Sequence, residues 1–346
     1  MLNTVLDKAN YSRSTTKEDF VSDQMVKWCP GCGAHAILSS VANVFPLLGY
    51  KKENIVVVSG IGCSSRFPYY LNTYGFHGIH GRPMAIATGV KVSNPRLTVW
   101  VATGDGDSMA IGGNHFIHII RRNVDLNILL FNNQIYGLTK GQYSPTTPMG
   151  SITKTSPQGT IEHAFNPGEL VMGAQGTFFA RVTDTNPKMM TEVMYEARMH
   201  DGTSVIEILQ NCIIYNDKTH GMITGKEHRN EYQLHLKHGE PMIFGNNLNK
   251  GVRLNGTKLE AVTIGENGIT EDDILVHDQY DPDPGIQLML AKMGPPNLPM
   301  ALGVIRSAKF PTYDDLLEDQ IQVAKATSPI KNVDALLNSG ETFVVK

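Results

Sequence analysis

Four cysteines are the residues in this sequence best suited to binding metal. Cys29 and Cys32 form a CxxC pair within the segment WCPGCG, and Cys63 and Cys212 each follow a separate apolar run. A CxxC pair lets two thiolates converge on one centre, and four thiolates suit either a zinc ion or a [4Fe–4S] cluster. The spacing does not decide between the two. Cys63 and Cys212 could also be small buried hydrophobic residues that bind no metal.

A second set of polar residues could hold Mg²⁺ and a diphosphate. The segment GDGD, which contains Asp105 and Asp107, ends one apolar run, and Asn133 follows the next. The glycines let the backbone approach a diphosphate, and the helix expected after them presents free N–H groups. Asp105 and Asn133 supply oxygen ligands of the kind that Mg²⁺ prefers. A lone GDG is often only a turn, but this combination predicts a thiamine diphosphate site, and no GxGxxG or GxxxxGK[ST] motif competes with it.

Three further residues near these motifs could contact a substrate. Arg66 follows Cys63 in the segment CSSR, and Lys140 lies in GLTKGQ just after the predicted Mg²⁺ loop. Either could be an ordinary surface cation, but both are expected in loops beside the cofactor, which favours a role in binding an acidic substrate. His80, in HGIHGR, could hydrogen-bond the cofactor or the substrate, or could simply occupy a turn.

These motifs need a scaffold that brings the ends of several strands together. Helical patterns occur at 34–48, 84–93, 115–121 and 188–200. Short apolar runs that end in turn residues predict buried parallel strands at 55–58, 97–102, 126–131, 178–182 and 204–209. The alternation predicts an α/β fold with a doubly wound, mostly parallel sheet, whose ligands bind beyond the carboxyl ends of the strands.

The chain of 346 residues is long enough for one large α/β domain and an extension. We expect an N-terminal arm at 1–24, a cofactor-binding domain at 25–215 and a C-terminal extension at 216–346. The extension carries the turn-rich segments GITEDD, YDPDPG and MGPPNLP, so it is expected to cover the core or a partner subunit.

Composition excludes several classes of protein. A net charge of -3 gives no general attraction to nucleic acid or to an anionic membrane. No apolar run approaches the roughly 20 residues of a membrane span, and the N-terminus lacks the apolar stretch of a signal peptide. Four cysteines are too few for a disulfide framework. The sequence therefore predicts a soluble, cytoplasmic protein with neither a nucleic acid nor a membrane as partner.

Five motifs in combination identify a family. The segments WCPGCG, GIGCSSR, HGIHGR, GDGD followed by NN, and YGLTKGQYSPTTP resemble the β subunit of 2-oxoacid:ferredoxin oxidoreductases. The resemblance covers roughly residues 25–220 and is strongest to the 2-oxoglutarate enzymes of two-subunit construction. It implies a sheet of the type that binds the diphosphate half of thiamine diphosphate.

The resemblance also implies a set of ligands. Asp105, Asn133 and the backbone carbonyl of Ile135 would bind Mg²⁺, and the resemblance favours a functional role for His80. It favours a [4Fe–4S] cluster over zinc at the cysteines. The implied cluster ligands are Cys29, Cys32, Cys63 and Cys212, and the implied cofactor-binding residues are Gly104, Asp105, Gly106, Asp107, Asn133, Ile135 and Gly137.

The implied activity is the reversible oxidative decarboxylation of a 2-oxoacid with coenzyme A to an acyl-CoA and CO₂. Electrons would pass one at a time through thiamine diphosphate and the cluster to ferredoxin, and 2-oxoglutarate is the favoured substrate. The α subunit is implied to supply the glutamate that activates the cofactor, so the enzyme would be active only with that subunit, as an (αβ)₂ assembly. The alternatives are pyruvate or a broad range of 2-oxoacids as substrate and, more distantly, a zinc-binding subunit without catalytic activity.

Overall fold

The computed structural model describes residues 15–345, so residues 1–14 of the predicted N-terminal arm lie outside the described part. The strands are β1 (Ile55–Ser59), β2 (Tyr74–His77), β3 (Thr98–Gly104), β4 (Leu126–Asn132), β5 (Phe178–Thr183), β6 (Thr203–Leu209), β7 (Gln233–His235), β8 (Ile243–Phe244), β9 (Lys250–Asn255), β10 (Lys258–Thr263) and β11 (Met300–Ser307). The helices are α1 (Ala34–Leu48), α2 (Phe67–Tyr70), α3 (Pro83–Ser93), α4 (Asp105–Met109), α5 (Gly113–Arg122), α6 (Pro167–Gly173), α7 (Pro187–Met199), α8 (Gly221–Thr224), α9 (Arg229–Tyr232), α10 (Gly285–Lys292), α11 (Tyr313–Thr327) and α12 (Val333–Leu337).

A mostly parallel sheet forms the centre of the molecule. In the described part of the chain it has eight strands in the order β2-β1-β3-β4-β6-β5-β11-β7. The strands from β2 to β5 are parallel to one another, and β11 joins β5 in the antiparallel sense. The fold class predicted from the sequence is confirmed. Within residues 15–345, no helix combines the length and the apolar character needed to cross a membrane.

Helices cover both faces of this sheet, which is why the central strands are buried along their whole length and mostly apolar. On β1, Val56 and Val58 pack on the face covered by α3 and α5, whereas Ile55 and Val57 pack on the face covered by α1 and α7. Alternate residues of a strand point to opposite faces, so a strand that is buried on both sides needs apolar residues at nearly every position. Asn186 caps α7 by accepting the Met189 N–H at 3.2 Å.

Three features differ from what the sequence suggests. The helix after β3 ends at Met109 after five residues, because Ala110 leaves the helical conformation, and α5 starts only at Gly113. Strand β2, at the edge of the sheet, was not predicted, and its residues are exposed. Finally, β7 and β11 belong to the expected C-terminal extension and yet complete the main sheet, so residue 215 is not a boundary of that sheet.

The rest of the C-terminal part is built around a small second sheet. Strands β10, β9 and β8 form an antiparallel sheet in that order. Val252 of β9 is fully buried and belongs to the same apolar core as α10 and one face of the main sheet. Helices α11 and α12 follow β11 and keep large apolar side chains exposed, among them Leu316 and Leu337. The extension is therefore partly core and partly an uncovered apolar surface.

Candidate functional site

The carboxyl ends of β1, β3 and β4 surround a cavity of about 470 Å³. Every residue that the sequence predicts as cofactor-binding lines this cavity, and so do His80 and Cys63. The sheet brings them together because parallel neighbouring strands end at the same edge. The predicted lining residues found there are Gly104, Asp105, Gly106, Asp107, Asn133, Ile135 and Gly137.

Asp105 is held in the cavity wall by two hydroxyl groups. Ser144 Oγ and Thr146 Oγ1 each donate to Asp105 Oδ2 at 2.5 Å, and the aspartate is almost fully buried. Burial raises the pKa of Asp105, and these hydrogen bonds oppose that rise. A carboxylate in such surroundings is most easily kept charged by a cation beside it. The site therefore fits a divalent cation chemically.

Asn133 lies on the neighbouring strand end, facing the same cavity. Its Oδ1 accepts the Ile135 N–H at 3.2 Å, and Gln134 between them takes a left-handed conformation with φ of 55°. This tight turn places an amide side chain and a run of backbone groups opposite Asp105. Oxygen donors on two adjacent strand ends are the ligand type that Mg²⁺ prefers.

Tyr136 closes the cavity against the GDGD segment. Its hydroxyl donates to the Gly106 carbonyl at 3.0 Å. A Cβ atom on Gly106 would lie 2.2 Å from the tyrosine ring, so this position requires glycine. Burial, with the nearby charges of Asp105 and Asp107, raises the pKa of Tyr136 to about 12, which keeps it a neutral hydrogen-bond donor at physiological pH.

Asp107 holds the loops of the cavity together. Its Oδ1 accepts hydrogen bonds from the backbone N–H groups of Ile61 and Gly81 at 3.0 and 2.7 Å, and from His80 Nδ1 at 2.7 Å. Its Oδ2 accepts from Thr103 Oγ1 at 2.9 Å. Although Asp107 lines the cavity, its carboxylate is already committed to protein donors. Its direct contribution is to position His80 and two loops.

The four cysteines converge beside this cavity. Burial and, to a smaller extent, the nearby thiols of Cys32, Cys212 and Cys29 together raise the pKa of Cys63 to about 11. A Cβ atom on Gly137 would lie 3.4 Å from Cys212 Sγ and 3.7 Å from Cys63 Sγ, so glycine lets the cofactor loop approach both sulfurs. Crowded, half-buried thiols become thiolates most readily when a metal centre compensates their charge.

The cysteine group is open to solvent on the side that carries Cys29 and Cys32. Cys29 is exposed, and Cys32 lines a shallow depression of about 570 Å³ with Asp184. Trp28 covers the group and donates its indole N–H to the Cys63 carbonyl at 2.7 Å. Within residues 15–345, no three His, Cys, Asp or Glu side chains are spaced to hold one metal ion. In a [4Fe–4S] cluster each cysteine binds a different iron, so the four sulfurs lie farther apart than the ligands of a single ion.

The two basic candidates lie in cavities that adjoin the central one. Arg66 lines a cavity of about 400 Å³ that shares Gly62 with the central cavity. Its positive charge partly offsets the rise in the pKa of Cys63. Lys140 lines a more polar cavity of about 370 Å³ that shares Ile135. Lys140 itself is exposed and has a left-handed backbone with φ of 77°.

Four residues in the site were not singled out by the sequence. Ser144 and Thr146 lie in the hydroxyl-rich segment YSPTTP, whose density of hydroxyls was the available signal. Ser64 lines the cavity, and its Oγ is buried with no hydrogen-bond partner among the described residues. Gln210 also lines the cavity, directly after β6, where nothing in the local sequence marks it.

The chain is similar to thiamine diphosphate enzymes throughout this region. The family described as "Thiamine pyrophosphate enzyme, C-terminal TPP binding domain" matches residues 60–208. The 2-oxoglutarate oxidoreductase subunit KorB of Mycobacterium tuberculosis is 47% identical over 331 residues, covering 95% of this chain and 88% of the relative. The 2-oxoglutarate synthase subunit KorB of Archaeoglobus fulgidus is 44% identical over 196 residues, 56% of this chain and 73% of its own.

A solved structure has the same fold. The 2-oxoglutarate:ferredoxin oxidoreductase from Magnetococcus marinus, determined with 2-oxoglutarate, coenzyme A and succinyl-CoA bound, superposes with a TM-score of 0.77 at 29% identity. The superposition covers 96% of this chain and 99% of that one. The similarity therefore includes the C-terminal part as well as the cofactor-binding region.

Proposed function

The chain belongs to the β subunits of the 2-oxoacid:ferredoxin oxidoreductases, and we propose that it provides the diphosphate and Mg²⁺ half of a thiamine diphosphate site together with one [4Fe–4S] cluster. The two relatives described above are subunits of 2-oxoglutarate enzymes, others are named 2-oxoacid:ferredoxin oxidoreductase subunits, and this chain is an oxidoreductase subunit of that type. The observation that carries the proposal is the shared cavity, because Asp105, Asn133 and Cys63 all line it.

On the cofactor side, Asp105, Asn133 and the Ile135 carbonyl would bind Mg²⁺. The hydroxyls of Ser144 and Thr146 hold the Asp105 carboxylate in place, so it is oriented before the cation arrives. At Gly104 a Cβ atom would meet no atom closer than 3.6 Å, which leaves space for the diphosphate, whereas Gly106 makes room for the Tyr136 ring. The bound cofactor supplies the electron sink that 2-oxoacid decarboxylation needs.

On the redox side, Cys29, Cys32, Cys63 and Cys212 would hold the cluster. The close approach of Gly137 to two of these sulfurs puts the proposed cluster directly beside the cofactor loop. A short separation between the two centres suits transfer of single electrons out of the site. Cys29 is exposed, so electrons could leave on that side to an external carrier such as ferredoxin.

The substrate would meet Arg66, His80 and Lys140 at the edges of the cavity. The Nδ1 atom of His80 is tied to Asp107, which fixes the ring with its Nε2 side available for a ligand. Arg66 is close enough to Cys63 to act near the reaction centre. The left-handed backbone at Lys140 is unfavourable for a non-glycine residue, which supports a functional reason for its position. We assign Lys140 to the distal carboxylate of 2-oxoglutarate.

A β subunit works with an α subunit, and we propose an (αβ)₂ assembly. Exposed apolar side chains lie on the loops that carry the site: Ile61 and Leu138 line the cavity, and Ile79 and Ile111 are exposed close in sequence to His80 and Asp107. A cluster of exposed apolar side chains at the mouth of a site is typical of a surface that a partner covers. The bound α subunit would close the cavity and exclude water, while coenzyme A and the 2-oxoacid enter between the subunits.

The proposal is tested by purifying the assembled complex without oxygen and measuring its contents and its activity. We expect about four irons and four sulfides per β chain, together with thiamine diphosphate and Mg²⁺. Decarboxylation of 2-oxoglutarate should require coenzyme A and reduce ferredoxin. Cys212→Ala should leave a labile cluster and suppress ferredoxin reduction while thiamine diphosphate stays bound.

Two results would contradict the proposal in distinct ways. Stoichiometric zinc without sulfide would support a zinc-binding, non-catalytic subunit. A complex with the expected cofactors but faster turnover of pyruvate or 2-oxobutyrate than of 2-oxoglutarate would leave the chemistry in place and assign another substrate.

A further inference from the structure

Gln210 connects the proposed Mg²⁺ loop to the proposed cluster. It follows β6 directly and is almost fully buried. Its Oε1 accepts from Asn133 Nδ2 at 3.4 Å, and its Nε2 donates to Cys32 Sγ at 3.5 Å. Its backbone N–H donates to the Asn132 carbonyl at 3.0 Å, which fixes the position of the Gln210 backbone. One amide therefore contacts a proposed Mg²⁺ ligand and a proposed cluster ligand at once.

The orientation of this amide follows from its two partners. A thiolate sulfur can only accept a hydrogen bond, so the NH₂ end of Gln210 faces Cys32. The NH₂ group of Asn133 needs an acceptor, and it finds the Gln210 oxygen. Reversing the amide would lose both bonds in a buried place, which is costly.

We infer that Gln210 is a positioning residue that raises the reduction potential of the cluster and keeps Asn133 aligned for Mg²⁺. This inference rests on the proposed function. A hydrogen bond to a ligand sulfur stabilises added negative charge on the cluster, so it favours the reduced form. Because Gln210 is buried, little water competes for this bond, and its electrostatic effect is larger than at the surface.

Two substitutions separate the roles of the two ends of the amide. Gln210→Leu removes both hydrogen bonds. Gln210→Glu is nearly the same size and retains an acceptor for Asn133, but it replaces the donor to Cys32 with a negative charge. Gln233→Leu is the matched control, because it removes a glutamine side chain that donates to the Ile223 carbonyl at 2.7 Å in another part of the fold.

The experiment measures two quantities on the assembled holoenzyme. The midpoint potential of the cluster comes from a redox titration followed by electron paramagnetic resonance, and the Kd of thiamine diphosphate comes from equilibrium dialysis with Mg²⁺. Gln210→Leu should lower the equilibrium constant for cluster reduction by about tenfold, which is about 59 mV for one electron. It should also weaken thiamine diphosphate binding several-fold.

Gln210→Glu should lower the potential by at least as much as Gln210→Leu, while its Kd stays near that of the wild type. Gln233→Leu should change neither quantity. Unchanged midpoints in both Gln210 variants would overturn the inference, and if the leucine variant fails to assemble, the glutamate variant alone decides. A wild-type complex without iron and sulfide would overturn the proposed function together with the inference.

Discussion

The Nδ1 atom of His80 lies 2.7 Å from Oδ1 of Asp107. The same oxygen accepts two backbone N–H groups, so the carboxylate joins the loop after β1 to the loop before α3. The contact orients the imidazole at the edge of the cofactor cavity and gives Asp107 a structural function that the sequence motif did not indicate. The stability of these two loops therefore depends in part on the Asp107 carboxylate.

Removal of the Asp107 carboxylate should therefore destabilise the chain. Asp107→Ala leaves buried backbone and side-chain donors without an acceptor, and we expect the free energy of unfolding to fall by about 2–4 kcal/mol. Asp107→Asn keeps one oxygen acceptor and should cost less than half as much. Urea denaturation monitored by circular dichroism measures both. Equal losses in the two variants would show that the hydrogen bonds to the carboxylate oxygen are not what stabilises the loops.

Asp105 should behave differently from Asp107, because its carboxylate faces the proposed cation. In Asp105→Ala the assembled enzyme should lose thiamine diphosphate and Mg²⁺ together, with Kd raised by roughly 10-fold to 100-fold, as expected for loss of a charged ligand. Iron and sulfide contents should stay at the wild-type level. Asp272→Asn, an exposed position that also loses one negative charge, is the control.

Stoichiometric thiamine diphosphate in the Asp105→Ala enzyme after gel filtration would rule out the ligand assignment. A simultaneous loss of iron would show instead that the substitution disturbs the whole end of the sheet. The two measurements on one sample therefore separate a local effect on the cofactor from a general one.

Much of this site could be predicted because it depends on strand ends. Buried parallel strands are apolar along their length, so β1, β3, β4, β5 and β6 are visible in the sequence as runs that stop at polar or glycine residues. The residues after those stops meet at one edge of the sheet. That is why the sequence alone predicts that Asp105, Asn133 and Cys63 lie close together.

The remaining parts of the site depend on contacts that no local pattern reveals. Ser144 and Asp105 are 39 residues apart, and Gln210 and Cys32 are 178 residues apart. The sequence alone does not distinguish the roles of Asp105 and Asp107 within GDGD. In the fold, the Asp105 carboxylate accepts from two hydroxyl groups in the cavity wall, whereas the Asp107 carboxylate accepts from backbone N–H groups of two loops. Strand β11 was not predicted although it is buried along most of its length, because its apolar run directly follows the turn-rich segment MGPPNLP of the expected extension.

His200 provides a prediction about pH. Burial lowers the pKa of His200 to about 4, and it interacts with Thr177 and Ser307. The ring stays neutral in the folded chain while the unfolded chain takes up a proton near its ordinary value of 6.5. The unfolded state then binds more protons, so stability falls as the pH falls from 6.5 towards 4.

Between pH 6.5 and pH 5 this single histidine should cost about 1.5 kcal/mol of stability. His200→Asn keeps a polar side chain that does not titrate, so its urea midpoint should depend less on pH over this range. His228→Asn, at an exposed position, controls for the substitution itself. Parallel pH profiles for the wild type and His200→Asn would contradict the assignment.

A buried ion pair supports the strand that carries Asn133. Arg181 Nε donates to Glu207 Oε2 at 2.7 Å, and Glu207 Oε1 accepts from Asn132 Nδ2 at 2.7 Å. Arg181→Met or Glu207→Met alone should destabilise the chain by about 3–5 kcal/mol, because each leaves an unpaired buried charge. The double variant should lose less than the sum of the two, as a double-mutant cycle in urea would measure. Additive losses would mean that the two side chains do not interact energetically.

Lys140 offers the sharpest test of substrate choice. A 2-oxodicarboxylate carries a distal carboxylate that pyruvate lacks, and its burial is costly without a cationic partner. Lys140→Met keeps a long side chain and places the same demand on the left-handed backbone, so it removes only the charge. A charge-assisted hydrogen bond contributes about 1.5–3 kcal/mol, which corresponds to roughly one to two decades in kcat/KM.

We therefore expect Lys140→Met to lower kcat/KM for 2-oxoglutarate by about 10-fold to 100-fold in the assembled enzyme, with much smaller losses for pyruvate and 2-oxobutyrate. Lys154→Met is the matched control, since Lys154 lines the same side cavity and its Nζ lies 6.0 Å from the centre of the Tyr215 ring. Equal losses on all three acids would show that Lys140 supports cofactor binding or the loop conformation and not the choice of substrate. A similar selective loss in Lys154→Met would show that Lys140 and Lys154 both bind the distal carboxylate, rather than Lys140 alone.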